Sequence, residues 1–364
     1  MLVTAVEASP LRSLTEMRVE LTSGIVSLIG PNGTGKTNFL EALYFALTGR
    51  SFRTSDRRDM IPLGSSFARS EALVRAEDGV EHRLLASVSR SEGRRHLLDG
   101  NPSDPATLAR SRPPVAVFSP DRLTLIKGPP GERRAHLDLF VAARWPSRNE
   151  LRQRYGQALA QRNAMLARVT AGAAGEREVE VWDAMLAEAA APLVAARAAA
   201  IGELATPFSR AAADLGLQGA ASLEYAPRAA GSVEEIRAAL AERREQDLRL
   251  GRSSWGPHLD EVKVLLDGRS LRRYGSQGQQ RAALLALLFA ERDVLLTARR
   301  VLPLLLLDDV MSELDPDRRE LLVARLQASG QALITAADEE SVPDAARANV
   351  IRMPWLAPPA AAAA

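Results

Sequence analysis

The stretch Gly30-Pro31-Asn32-Gly33-Thr34-Gly35-Lys36-Thr37 places three glycines ahead of a Lys-Thr pair. That order and spacing suit the binding of phosphate groups. Gly33 and Gly35 are free to take φ > 0, so the backbone can curl and aim successive N–H groups inward. Lys36 supplies a compact positive charge for β- and γ-phosphates, and Thr37 offers a hydroxyl to Mg²⁺. Asn38 adjoins the set. Of 47 basic residues only Lys36, Lys127 and Lys263 are lysines. A lysine kept at 36 in so arginine-rich a chain points to a need for a point charge rather than a planar fork. ATP and Mg²⁺ are the expected cofactors.

A second group of candidates lies at the end of LLLLDD, residues 304–309. A continuous apolar run reads as a strand buried on both faces of a parallel sheet. Carboxylates at its C-terminal end fall where open α/β sheets bind ligands. Asp308 is the expected Mg²⁺ partner and Asp309 the group that polarises an attacking water. Ser312 and Asp315 follow, and Asp315 before Pro316 also suits the N-cap of a helix over 316–328. The third group is Ser276-Gln277-Gly278-Gln279 ahead of an apolar helix. Ser276 stands where an N-cap belongs, and a helix N-terminus of this composition is also an anion site.

These residues need particular elements around them. The apolar IVSLI before Gly30 predicts a strand, and FLEALYFALT (39–48) an amphipathic helix stopped by Gly49. Residues 51–61 read as a basic, turn-rich loop. Residues 68–100 alternate like strands, with Asp78-Gly79 and Asp99-Gly100 as hairpin signals. VAVFSP (115–120) reads as a short buried strand. Residues 147–215 are rich in Ala, Arg, Glu and Leu at helical spacing, and a further helix is expected over 233–248. Residues 261–273 read as a hairpin about Asp267-Gly268; strands are expected at 303–310, 331–338 and 349–353. The fold class is α/β: a nucleotide-binding head with an inserted antiparallel β-sheet and a second, mainly helical lobe. The expected division is 1–145 for the first part of the head, 146–250 for the helical lobe, 251–357 to complete the head, and a disordered tail at 358–364.

Composition narrows the class. The chain is 46% hydrophobic and 25% charged, which suits a globular protein with a sizeable core. It has no cysteine, so disulfides and thiolate metal sites are excluded, and its four histidines are scattered. Net charge is only +2, so any nucleic-acid surface must be a patch. The pairs Arg57-Arg58, Arg94-Arg95, Arg133-Arg134 and Arg272-Arg273 are the candidates for one. The N-terminus lacks a charged, then apolar, leader, and apolar runs such as 282–290 are short for a bilayer, so a cytoplasmic location without membrane is expected.

The phosphate loop, S-x-G-Q-Q before a helix, the apolar strand ending in Asp-Asp and the following S-E-L-D together resemble the ATP-binding cassette superfamily. Within it the chain is similar to the RecF family of bacterial gap-repair proteins, through NGTGKTNFLEALYFALTGRSFRT (32–54), VFSPDRLTLIKGPPGERRAHLD (117–138), LAQRNAML (159–166), residues 256–291 and PLLLLDDVMSELDPDRR (303–319). The resemblance implies that Ser276, Gln277, Gly278 and Gln279 act in trans on the nucleotide of a second subunit, with Ser312 and Asp315 lining the seam. It implies an ATP-dependent homodimer that grips double-stranded and gapped DNA, and partners RecR with RecO in loading RecA. Three departures from transporter ATPases imply slow, switch-like hydrolysis: FSPD lacks a glutamine, Thr335 stands where a switch histidine is common, and Asp309 is shorter than Glu. The rival expectation is an ATPase subunit of a membrane transporter. The long, arginine-rich interval between Lys36 and Ser276 argues against it.

Overall fold

The computed structural model describes residues 1–54, 56–300, 302–328 and 330–354, without the side chains of residues 105, 106 and 299. The expected tail at 358–364 lies outside the described residues. In chain order the first elements are β1 (Leu2–Ala8), β2 (Met17–Glu20), β3 (Ile25–Ile29), α1 (Lys36–Thr48), β4 (Phe67–Arg75), β5 (Glu81–Ser89), β6 (Gly93–Leu98), β7 (Asn101–Pro102), α2 (Pro105–Arg110) and β8 (Val115–Phe118). The middle gives α3 (Thr124–Lys127), α4 (Pro130–Arg144), α5 (Leu151–Thr170), α6 (Arg177–Asp214), β9 (Ala221–Ala226), α7 (Val233–Glu242), α8 (Arg244–Leu250), β10 (Glu261–Leu266), β11 (Arg269–Ser270) and α9 (Leu271–Tyr274). The last part gives α10 (Gln277–Arg299), β12 (Leu304–Leu307), α11 (Pro316–Gln327), β13 (Ala332–Ala336) and β14 (Val350–Arg352).

The chain divides into two units. Unit one is Met1–Arg122, Asp214–Gly216 and Leu295 onward; unit two is Leu123–Ala213 with Leu217–Val294. Unit one holds a six-stranded antiparallel sheet, β2-β1-β4-β5-β6-β7, and a five-stranded parallel sheet, β14-β3-β13-β12-β8. Helix α1 packs with both, its Phe39, Leu40, Leu43 and Phe45 sharing one core with Val6, Ala72 and Leu84 of the first sheet and Leu28, Leu306 and Leu333 of the second. The expected alternation is present in β4, where Ala68, Ser70, Ala72 and Val74 are buried. At the hairpin expected from Asp99-Gly100, both residues take positive φ, 51° and 83°, which a two-residue I′ turn requires.

Unit two is built on the helices α4 to α8 and the three-stranded sheet β11-β10-β9. The two compact units part at 122/123 and 294/295, with Asp214–Gly216 in unit one, whereas the lobes expected from sequence divide at 145/146 and 250/251; the Ser276–Gln279 segment lies in unit two. The reason is packing. Leu125 and Leu137 line the same apolar cavity as Leu204, Val262 and Leu287, so the segments on either side of the helices share their interior. The helix expected over 233–248 is two helices that meet at Arg243.

Arginines staple unit two. Arg162 of α5 is fully buried and binds Asp183 of α6 at 2.7 Å, Asp247 of α8 at 2.6 Å and the Ser253 hydroxyl at 2.8 Å. Arg197 of α6 holds Asp138 of α4 through two bonds, 2.7 and 2.9 Å, and Asp260 at 2.9 Å. Helix α6, 38 residues long, is long and apolar enough by composition to cross a membrane, although charged residues such as Glu188, Arg197 and Glu203 interrupt its apolar runs. Half of the relevant window is buried inside the protein. Arg197, with its two carboxylates, shows which interior the helix serves.

Candidate nucleotide site

All five strands of the parallel sheet run the same way, so their carboxyl ends share one edge. The phosphate loop leaves that edge from β3 and Asp308 leaves it from β12. Strand β13 lies between them, with Thr335 beside Leu28 of β3. Gly30 begins the loop where a Cβ would stand 2.3 Å from the Met353 carbonyl oxygen of the strand alongside, so no side chain fits there. Gly33 and Gly35 have φ of 85° and 96°. Gly35 caps α1 without any side-chain bond, which leaves the first N–H groups of the helix to other acceptors.

Lys36 is 8% exposed and folds back over the loop, its ammonium donating to the carbonyls of Gly30 at 2.5 Å and Pro31 at 2.9 Å. Desolvation lowers its pKa, opposed by the charges of Asp309 and then Asp308. The lysine and both acids therefore share one electrostatic neighbourhood. The Thr37 hydroxyl reaches both Asp308 carboxylate oxygens at 2.9 Å. Burial raises the Asp308 pKa above the ordinary carboxylate value, while hydrogen bonds from Thr37 and Thr335 oppose the rise.

Thr335 is fully buried and is the keystone of the acid pair. Its hydroxyl donates to Asp308 Oδ1 at 3.0 Å and accepts the Asp309 backbone N–H at 2.7 Å. Asp309 holds φ of 48°, a left-handed conformation that Asp tolerates better than most residues. Ser119, next after β8, adds a buried hydroxyl that has no hydrogen-bond partner among the described residues, on the same edge where the Phe118 carbonyl accepts the Asp308 N–H at 2.8 Å. The oxygen-only set of Thr37 and Asp308 suits Mg²⁺, a hard cation that takes few protein ligands and keeps several waters. The curled loop, the Lys36 ammonium and the open helix end suit a nucleotide's phosphates.

A second layer fixes the loop. Glu41 of α1 is fully buried and accepts from Arg12 at 2.9 and 3.0 Å and from the Ser51 hydroxyl at 2.5 Å. Asn38 donates to Ser13 at 2.7 Å and accepts from Arg53 at 3.0 Å. Sequence reasoning missed Glu41, Arg12 and Ser119. A glutamate on the apolar face of an amphipathic helix was the available signal for the first. Thr34 turns its hydroxyl onto Pro31 O at 2.8 Å, while Pro31 and Asn32 are exposed.

The remaining candidates stand at helix starts. Asp315 accepts the Arg318 N–H at 3.0 Å and so caps α11, as expected; the Ser312 hydroxyl donates to Asp309 O at 3.0 Å. In unit two, Ser276 and Gln279 form a reciprocal capping box on α10. The Gln279 N–H reaches Ser276 Oγ at 3.2 Å, and the Ser276 N–H reaches Gln279 Oε1 at 2.9 Å. Ser276 and Gln277 are exposed and Gly278 is half-buried. Of the arginine pairs, Arg133-Arg134 is a correction. Arg133 is buried on Glu261 at 2.9 Å and Arg134 donates to Asp260 O at 2.7 Å, so both are spent on the fold.

A phosphate loop and an acid pair on one edge of a parallel sheet, with an antiparallel sheet packed on α1 and a mainly helical second unit, define an ATP-binding-cassette-type head. The family model of the RecF/RecN/SMC N terminal domain matches residues 2–354. The DNA replication and repair protein RecF of Heliobacterium modesticaldum is 34% identical over 353 residues, 92% of each chain. That of Streptomyces avermitilis is 36% identical over 361 residues, covering 94% of this chain and 95% of its own. The solved recombination mediator protein RecF-ATP of the RecFOR pathway aligns with a TM-score of 0.83 at 27% identity, over 94% of this chain and 93% of that one. A head of Smc bound to the C-terminal winged helix domain of ScpA shares the fold, with a TM-score of 0.56 at 16% identity. The chain belongs to the RecF family.

Proposed function

We propose that this chain is an ATP-dependent DNA clamp of recombinational repair. The observation that carries the reading is the cluster of Lys36, Thr37, Asp308 and Asp309 at the carboxyl edge of the parallel sheet, bridged by Thr335. Gly30–Thr37 and Asn38 bind the triphosphate of ATP, and Lys36 leaves the Gly30 and Pro31 carbonyls for its β- and γ-oxygens. Thr37 and Asp308 would hold Mg²⁺, which would supply positive charge against the phosphates. Asp309 polarises the attacking water. Ser276, Gln277, Gly278 and Gln279 of a second copy close on the γ-phosphate, with Ser312 and Asp315 at the seam, so two heads dimerise only on ATP. Loss of the γ-phosphate then opens the dimer. Hydrolysis is slow, because Asp309 is a short base and Thr335 stands in place of a switch histidine.

The names of its relatives support a role in DNA replication and repair. On this reading the dimer holds gapped duplex near single-strand junctions and, with RecR and RecO, promotes RecA loading. Sedimentation without nucleotide, with ADP, and with ATP and Mg²⁺, each with and without gapped duplex, tests it. The expected result is a dimer that needs ATP and tightens on DNA, and that is lost in Lys36→Ala. A monomer under every condition removes the trans signature.

A further inference from the structure

Several arginines of the antiparallel sheet are paired with acids on the same sheet or its turns. Arg69 and Arg83 pair with Glu71 at 3.2 and 3.0 Å, Arg95 with Glu92 at 2.9 Å, and Arg18 with Glu7 at 2.6 Å. These are neutralised locally. Arg50 after α1, Arg57 in the 3-10 turn that follows and Arg94 of β6 differ: among the described residues no carboxylate forms an ion pair with any of them.

Chain geometry brings Arg50 and Arg94 to the C-terminal end of α1, and Arg57 of the following loop lies close enough to feel the charge of both. Strand β6 passes over that end: His96 Nε2 lies 3.0 Å from Ala46 O, and a Cβ on Gly49 would stand 3.0 Å from His96 Nδ1. Arg94 is two residues before His96 on the same face of β6, and in register with buried Val88. Arg50 follows Gly49, which ends the helix at φ of 64°. Arg57 opens the 3-10 turn Arg57–Met60, anchored by fully buried Met60. The Arg57 Nε is buried and has no hydrogen-bond partner among the described residues. Burial, then the charges of Arg94 and Arg50, lower the Arg57 pKa. The nearest acids in sequence are engaged elsewhere: Asp56 accepts the Arg58 N–H at 2.9 Å and Asp59 the Thr54 hydroxyl at 2.6 Å. The half-charge at a helix C-terminus offers these cations some relief, but it leaves the Arg57 Nε–H without an acceptor.

We propose that Arg50, Arg57 and Arg94 hold one backbone phosphate of the DNA that the clamp encloses. The guanidinium fork matches a phosphodiester, and the orphan Nε–H supplies a ready donor. The subsite uses none of the residues of the nucleotide site, and the C-terminal end of α1 at which Arg50 stands lies about 20 Å along the helix from Lys36. It reads no sequence, because a phosphate contact positions the duplex without inspecting bases. The assignment rests on the DNA-clamp reading above.

The test is equilibrium binding of a labelled gapped duplex to the full chain with ATP and Mg²⁺ across a salt series. Wild type is compared with Arg57→Gln/Arg94→Gln and Arg57→Lys/Arg94→Lys. The glutamine variant should bind more weakly, with a slope of log K against log salt shallower by about one unit, and the lysine variant should recover the slope. ATP affinity should not change in either, which reports that the variants fold. A glutamine variant with wild-type affinity and slope overturns the subsite while leaving the clamp intact. A wild-type chain that binds no duplex in any nucleotide state overturns both. Competition by polyglutamate that depends on the same arginines would assign the subsite to an acidic protein instead and overturn the nucleic-acid assignment.

Discussion

At the scale of single residues, Thr335 decides how the acid pair is held. In sequence it stands out only as the residue in place of a switch histidine, and nothing in its type or neighbours points to a bond with the two acids. Its partners come from β12, through Asp308 and Asp309, and only the order of strands in the sheet brings them together. The phosphate loop was legible because its chemistry is local, whereas this bridge was not because it spans two strands. Thr335→Val keeps the shape and removes the hydroxyl. It strips Asp308 of a donor and Asp309 N–H of its acceptor, so urea unfolding should show a loss of about 1–3 kcal/mol. The Asp308 pKa should rise further, so Mg²⁺-dependent nucleotide binding should fail at a higher pH than in wild type as the solution is acidified. Thr335→Ser should retain most of both. Equal unfolding curves for Val and wild type would show that the bridge carries no weight.

At the scale of elements, the hairpins were readable because Asp-Gly pairs take the two positive φ values that the turn needs, as at Asp267-Gly268 with 51° and 73°. The break between α7 and α8 was not, since no Gly or Pro marks Arg243. Helix α10 illustrates how one segment serves two purposes. Its capping box settles the local structure, and His136 of α4 meets its Glu291 at 2.6 Å. Ser276→Ala should lower stability by about 1 kcal/mol, the ordinary worth of such a cap. Ser276→Arg should still bind ATP as a monomer yet fail to dimerise in sedimentation. Loss of ATP binding by the monomeric Ser276→Arg protein would mean that the segment acts in cis.

At the scale of the whole molecule, the family was legible in sequence while the partition of the chain was not. Periodicity marks where helices lie, but it does not say which core a helix joins; α4 and α10 are expected in the head by order along the chain, yet α4 and all but the last turn of α10 pack within unit two. The motif at 159–166 likewise proves to be architecture, since Arg162 is the buried staple and Asn163 accepts from the Ser253 N–H at 2.8 Å. Arg162→Met leaves Asp183 with Arg244 alone and Asp247 without its guanidinium. Unit two should lose about 3–5 kcal/mol in denaturant unfolding, the toll of a buried charge whose partner is removed. A loss under about 1 kcal/mol would remove the network from the list of things that hold the unit together.

The order of strands in the parallel sheet has a consequence for biosynthesis. Strand β3, which delivers the phosphate loop, has β13 on one side and β14 on the other, and both come from the stretch between Ala332 and Arg352. Gln331 also closes on the chain's first strand, accepting the Val3 N–H at 2.9 Å and donating to Val3 O at 2.8 Å across 328 positions. A growing chain on the ribosome therefore carries its nucleotide motif from residue 30 onward with neither neighbouring strand in existence. The phosphate loop gains both of its flanking strands only after the stretch through Arg352 has left the exit tunnel, more than 300 residues after the motif itself was made.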